Sequence, residues 1–138
     1  MIEMLRKALL FPVLLALLLA SCNTSNSDDP VAVVEQYFSY WNSEDVDGIL
    51  SIVADEPEIE VDLAVMLSDE EKIRTAFERL FQRVDFQITV SDFEVDDNIV
   101  TYNYEIYVGD QLSERGRSQA VIENGKIKSE RYIGPYAP

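Results

Sequence analysis

The chain has 138 residues, one small domain's worth, with 26 acidic against 11 basic residues, no histidine and a single cysteine. A formal charge of −15 argues against nucleic acid as a partner, because phosphate recognition needs a basic footprint, and against flat adhesion to anionic lipid heads. The absence of histidine removes the commonest general base and the commonest metal ligand.

Arg6 and Lys7 precede an apolar run, Ala8–Ala20, that ends in the small residues Ala20-Ser21 and then Cys22. A charged start, a short apolar stretch and small residues before a break make a secretory signal peptide. The run is shorter than the roughly 20 apolar residues of a membrane span. Leu19-Ala20-Ser21-Cys22 resembles the lipobox of bacterial lipoproteins. The resemblance implies cleavage before Cys22, lipidation of that cysteine and attachment to the extracytoplasmic side of the cell envelope. Asn23 after the cysteine implies the outer membrane where a cell has two. Several acyl chains hold firmly where one holds only marginally. The alternative is an ordinary secreted protein with one leftover thiol, which an odd cysteine in an exported chain makes awkward. Residues 1–21 are thus expected to be a lipoprotein signal peptide, 22–29 the lipidated cysteine and a flexible tether, and 30–138 the folded domain. Without the signal, 25 acidic and 9 basic residues remain. The tether Asn23–Asp29 reaches at most roughly 25 Å.

Asp29-Pro30 reads as a helix cap followed by proline at the first helical position. Val33, Val34, Tyr37, Phe38, Tyr40 and Trp41 then recur at helical spacing, which predicts a helix over 30–42. Asp45 can cap a second, shorter helix carrying Ile49, Leu50, Ile52 and Val53, weakened slightly by Gly48 and ended by Pro57. Glu58–Leu63 alternates strictly. It predicts a strand with Ile59, Val61 and Leu63 inward and Glu58, Glu60 and Asp62 in solvent. Ser68-Asp69-Glu70-Glu71 reads as a capping box opening a third helix, with Ile73, Ala76, Phe77, Leu80, Phe81 and Val84 as its buried stripe.

The remainder reads as strand. Phe86, Ile88 and Val90 set one phase and Phe93 and Val95 the other, which places a β-bulge near Ser91-Asp92. Asp97-Asn98 reads as a hairpin turn. Tyr102, Tyr104, Ile106 and Val108 are expected inward, with Thr101, Asn103, Glu105 and Tyr107 outward. Gly109–Gly116 reads as a polar loop, and Asn124-Gly125 as a two-residue turn between Arg117–Glu123 and Lys126–Ile133. The expected fold is α+β: a curved antiparallel sheet wrapped on three helices from the N-terminal half, forming a cone with an apolar interior.

Ala32-Val33-Val34-Glu35-Gln36-Tyr37, Asn42, the stretch Asp45–Glu56 and the closing Asn124-Gly125-Lys126-Ile127 with Ser129 and Arg131 resemble the SnoaL-like and ketosteroid-isomerase-like proteins. These belong to the nuclear transport factor 2-like superfamily, and the likeness covers about residues 30–134. It implies an apolar pocket inside the cone and, in the isomerases, three roles. Tyr37 matches the tyrosine that donates to the developing oxyanion. The general-base position falls on Val61, with Asp62 just beyond. The second acid's counterpart lies near Ser118 or Gln119, neither of them acidic. One role of three is kept.

The sequence therefore points first to a non-catalytic domain that binds a small apolar ligand or a partner, with Tyr37, Val61, Phe77, Asn103 and Gln119 as ligand-binding candidates. The alternative is an isomerase, cyclase or hydratase with Glu105 or Asp62 as base and Tyr37 as donor. Tyr37 also reads as core filler with a wet hydroxyl. Glu58, Glu60 and Asp62, and likewise Asp92, Glu94 and Asp96, lie along ridges and do not converge as calcium requires. No metal and no cofactor are expected. A homodimer through the sheet is implied by the superfamily resemblance.

Overall fold

The computed structural model describes residues 29–62 and 65–138, with side chains described for 29–60 and 66–138. The signal segment, Cys22 and nearly all of the tether lie outside the described residues, as do the side chains of Val61 and Asp62.

Helix α1 spans Pro30–Asn42, and the Asp29 side chain accepts from the Val31 amide at 3.0 Å. Its buried face carries Val33, Val34, Tyr37, Phe38 and Trp41. Helix α2, Val46–Ile52, is capped by Asp45, which accepts from the Gly48 amide at 2.9 Å. Helix α3 spans Glu70–Arg83 and buries Ile73 and Phe77. Its cap is Asp69, accepting from the Lys72 amide at 3.1 Å, one residue later than a box opened at Ser68 would give.

The six strands are β1 Val53–Asp62, β2 Val65–Leu67, β3 Phe86–Asp96, β4 Ile99–Val108, β5 Gln111–Glu123 and β6 Lys126–Gly134. They form one curved, unclosed sheet in the order β2-β1-β6-β5-β4-β3. Three expectations are corrected. The sheet is not wholly antiparallel, because β1 runs parallel to β6. Strand β1 starts directly after α2 and passes through Pro57. Pairing with β6 is irregular between Val53 and Glu58, so the proline falls where the ladder is already broken. Lys128 Nζ donates to the exposed Glu56 carbonyl there, at 3.0 Å. The loop expected over 109–116 contracts to Gly109-Asp110, since Gly109 at φ 59° supplies the left-handed residue of a tight hairpin.

The bulge on β3 lies between Ser91 and Glu94, with Asp92 at φ 53°. It lets both Ile88, before it, and Phe93, after it, pack inward. The concave face of β4 carries Val100, Tyr102, Tyr104 and Ile106, packed against the helices. Beneath the helices, Trp41 meets Phe77 edge-on at 4.6 Å between ring centres and Phe86 at 5.9 Å. Asn42 fastens α1 to the edge strand β3: its amide donates to the Ile88 carbonyl and accepts from the Ile88 amide, both at 2.8 Å. Among the described residues no helix is long and apolar enough to cross a membrane.

Candidate functional site

Between α3, the end of α1 and the concave face of the sheet lies an open cleft of about 620 Å³. Phe38, Trp41, Leu80, Phe86, Ile88 and Ile106 form its apolar wall. Such a volume and such a wall suit a small organic molecule.

One acid is buried in this wall. Glu130 on β6 is 7% exposed and lines the cleft. Tyr102 Oη donates to Glu130 Oε1 at 3.0 Å, and the Ser118 hydroxyl bonds the same carboxyl. Burial lifts the Glu130 pKa to about 7; the two hydroxyls pull it down and the charge of Glu60 adds to the rise. A carboxyl near 7 holds and releases a proton with comparable ease in neutral water. The neighbouring tyrosines move too. Burial, then the Glu130 charge, holds both Tyr37 and Tyr102 well above the ordinary phenol range, so both remain protonated.

Glu130 reaches the cleft through an irregularity. Val121 pairs with Ser129 while Ile122 pairs with Ile127, so Lys128 is one residue too many on β6. The extra residue shifts the alternation, and Ile127 and Glu130, three apart, both face inward. Strict alternation from Ile127 would have turned Ser129 and Arg131 inward. The one local sign in the sequence is the family-like position near Ser118 or Gln119 on the neighbouring strand β5.

The other acids of the cleft are also engaged. Glu60 Oε2 accepts from the Tyr132 amide at 2.9 Å, and Tyr104 Oη donates to Glu114 Oε1 at 2.7 Å. Glu60 is half-buried at the cleft wall, a correction to its expected place in solvent. Among the described residues two buried donors, Tyr37 Oη and Trp41 Nε1, have no well-formed hydrogen bond, although Trp41 lies near enough to the Tyr37 hydroxyl to lower its pKa. Trp41 lines the cleft, while Tyr37 lies behind the wall, fully buried, a correction to its expected ligand role.

The expected site residues separate. Tyr37 is fully buried beside the Glu130 charge. Asn103 and Gln119 do not reach the cleft, a correction to their expected ligand role. Asn103 is buried on the outer face, where its amide donates to the Ala137 carbonyl at 2.6 Å and to Asp92 at 3.0 Å. Gln119, on the same face, accepts from Arg131 at 3.4 Å. Phe77 is fully buried behind Trp41 in the core and not in the cleft wall. Glu105 faces outward and accepts from the Tyr107 hydroxyl, so it is no base for the cone. The side chains of Val61 and Asp62 are outside the described residues. No three metal-ligating side chains converge among the described residues.

Three helices lying in the hollow of a curved, unclosed sheet define the nuclear transport factor 2-like α+β cone. Within that class the SnoaL-like domain model matches residues 34–130, and the chain belongs to this family. A search of curated proteins gives no match. Among solved structures, RV0760c from Mycobacterium tuberculosis is 15% identical with a TM-score of 0.68, over 78% of this chain and 95% of that one. The same protein in complex with estradiol-17β-hemisuccinate matches at 16% identity and TM-score 0.64, over 75% and 92%. An epoxide hydrolase from M. tuberculosis is 17% identical with a TM-score of 0.63, over 75% and 80%. The fold thus serves both ligand-binding proteins and enzymes, and at these identities the likeness speaks for the fold alone.

Proposed function

We propose that the cleft binds a small, largely apolar molecule and that Glu130 gives it or takes from it a proton. The observation that carries this reading is Glu130 itself: one carboxyl in an apolar wall, held by two hydroxyls, with a pKa of about 7. As base, Glu130 would remove a proton next to a carbonyl. Trp41, whose ring lines the cleft and whose N–H has no well-formed hydrogen bond among the described residues, would be the candidate donor to the oxygen on which charge develops. The steroid complex of one structural neighbour and the hydrolase activity of another are compatible with a ligand of this size and with proton-transfer chemistry.

The test needs no natural substrate. The apolar ketone 2-decalone is incubated in deuterated water, binding is followed by the fluorescence of Trp41, and exchange of its α-protons by NMR. The expected result is exchange faster than buffer, lost in Glu130→Gln while binding persists. Exchange that Glu130→Gln leaves unchanged contradicts the base assignment. Binding with no exchange favours the second reading, a non-catalytic receptacle, for which the engagement of Glu130 by both Tyr102 and Ser118 is the supporting observation.

The domain is further proposed to hang from an envelope membrane by acyl chains on Cys22, on the strength of Leu19-Ala20-Ser21-Cys22. Metabolic labelling with a clickable palmitate analogue should mark the wild type. Cys22→Ser should lose the label and leave the membrane fraction; a labelled variant would disprove the anchor. A homodimer through the sheet would have to form on an outer face partly covered by Tyr136 and Ala137. Light scattering of the soluble domain reads it directly, as a doubled mass if the dimer forms.

A further inference from the structure

We propose that the ligand of the cleft is an apolar monoanion whose acid group is held by Arg79 and Arg83; this rests on the cleft being a ligand site. Six arginines lie among the described residues. Arg74 pairs with Asp47 at 2.9 Å and Arg117 with Glu94 at 2.8 Å. Arg115 stacks on the Tyr136 ring at 5.0 Å, and Arg131 donates to Gln119 at 3.4 Å. The remaining two, Arg79 and Arg83, have no ion pair or hydrogen bond among the described residues, and both line the cleft.

In a chain with 26 acids, two adjacent arginines without a carboxylate call for a reason. They stand four residues apart on α3, one turn from each other, where like charges disfavour the helix. The helix C-terminus accounts for a cation at Arg83, in the last turn. It does not account for Arg79. None of the acids of the cleft is paired with either arginine: Glu60 accepts from the Tyr132 amide, Glu114 from Tyr104 and Glu130 from Tyr102. What the cleft lacks is an anion at its α3 rim. Next to that rim lies apolar wall, with Leu80 on the same helix and Phe86 and Ile106 across from it. An acid head on a hydrocarbon body fits both, since guanidinium forks match carboxylate geometry. The net charge of −15 disfavours a polyanion, while one carboxylate in contact with two guanidiniums is held locally.

The test compares dodecanoate with dodecanol, both below their aggregation limits at pH 8, by titration against Trp41 fluorescence. Trp41 is the only tryptophan and stands in the cleft wall. The wild type is expected to bind dodecanoate more tightly than dodecanol, and added salt to narrow the gap. Arg79→Gln/Arg83→Gln should weaken dodecanoate about tenfold or more and change dodecanol less than twofold, with Arg79→Lys/Arg83→Lys in between. Both positions are exposed, so the fold tolerates these changes, and circular dichroism checks it. Equal affinity for the two probes, or a glutamine variant that binds dodecanoate like the wild type, overturns the arginine assignment and leaves the cleft reading in place. Failure of both probes to bind the wild type overturns the cleft reading and this inference with it.

Discussion

Glu130 should be felt in the stability of the protein before any ligand is added. Its carboxyl titrates near 4.5 in an ordinary setting and at about 7 in the fold. Below pH 4.5 both the folded and unfolded chains carry the proton, and stability is at its full value. Between 4.5 and 7 the unfolded chain gives up its proton first, so rising pH favours unfolding. Above 7 both are ionised and the loss is complete. The gap amounts to roughly 3 kcal/mol. Glu130→Gln keeps an acceptor for Tyr102 and Ser118 but cannot ionise. Urea melts at pH 5 and pH 8 should show the wild type losing stability relative to the variant across that window. At pH 8 the variant is expected to be the more stable by about 1–3 kcal/mol. A difference between the two that does not change with pH contradicts a buried, titrating Glu130. Stability given up at one side chain is the ordinary mark of a position kept for activity.

The elements carry two sharper expectations. Gly48 lies inside α2, where helix propensity alone favours alanine by about 1 kcal/mol. A Cβ there would sit 2.4 Å from Tyr40 Cδ1 and 2.6 Å from Oδ2 of the capping residue Asp45. Gly48→Ala should therefore destabilise, by about 1–3 kcal/mol, in thermal or urea unfolding. A gain would show that the Tyr40 ring moves aside freely. Asn42→Ala removes the two bonds to Ile88 and should cost about 1–3 kcal/mol. Hydrogen exchange at the Ile88 amide should rise with it, because the side chain there stands in for the missing neighbour of an edge strand.

The same elements show what a sequence can and cannot disclose. Helix α1, its Asp29 cap, the β3 bulge and the Asn124-Gly125 turn are set by residues adjacent in the chain, and each is readable there. The inward set of β4 is readable because its alternation is unbroken from Val100 to Ile106. Glu130 is not, since its direction depends on how Ile127 and Ser129 register against β5. The parallel pairing of β1 with β6 and the withdrawal of Asn103 beneath the C-terminal residues are likewise long-range events. The candidate site is thus hidden from a one-dimensional reading where its chemistry is concentrated, while the apolar wall around it is visible as helix stripe and strand alternation.

At the scale of the whole molecule, the C-terminal residues act as a strap across the back of the sheet. The Ala137 carbonyl and amide both bond the buried Asn103 side chain, at 2.6 and 3.3 Å, and Tyr136 lies under Arg115. Removing residues 135–138 would strip a fully buried amide of two partners. The expected loss is about 1–3 kcal/mol, read by urea denaturation, with 2-decalone or dodecanoate binding unchanged because the cleft is on the other face. A truncation that abolished binding would mean that the two faces are coupled. The strap also settles a practical matter of geometry. Anything spliced on after Pro138, whether a fluorescent reporter or a bead linker, would depart from the rear of the molecule and leave the entrance on the opposite side unobstructed.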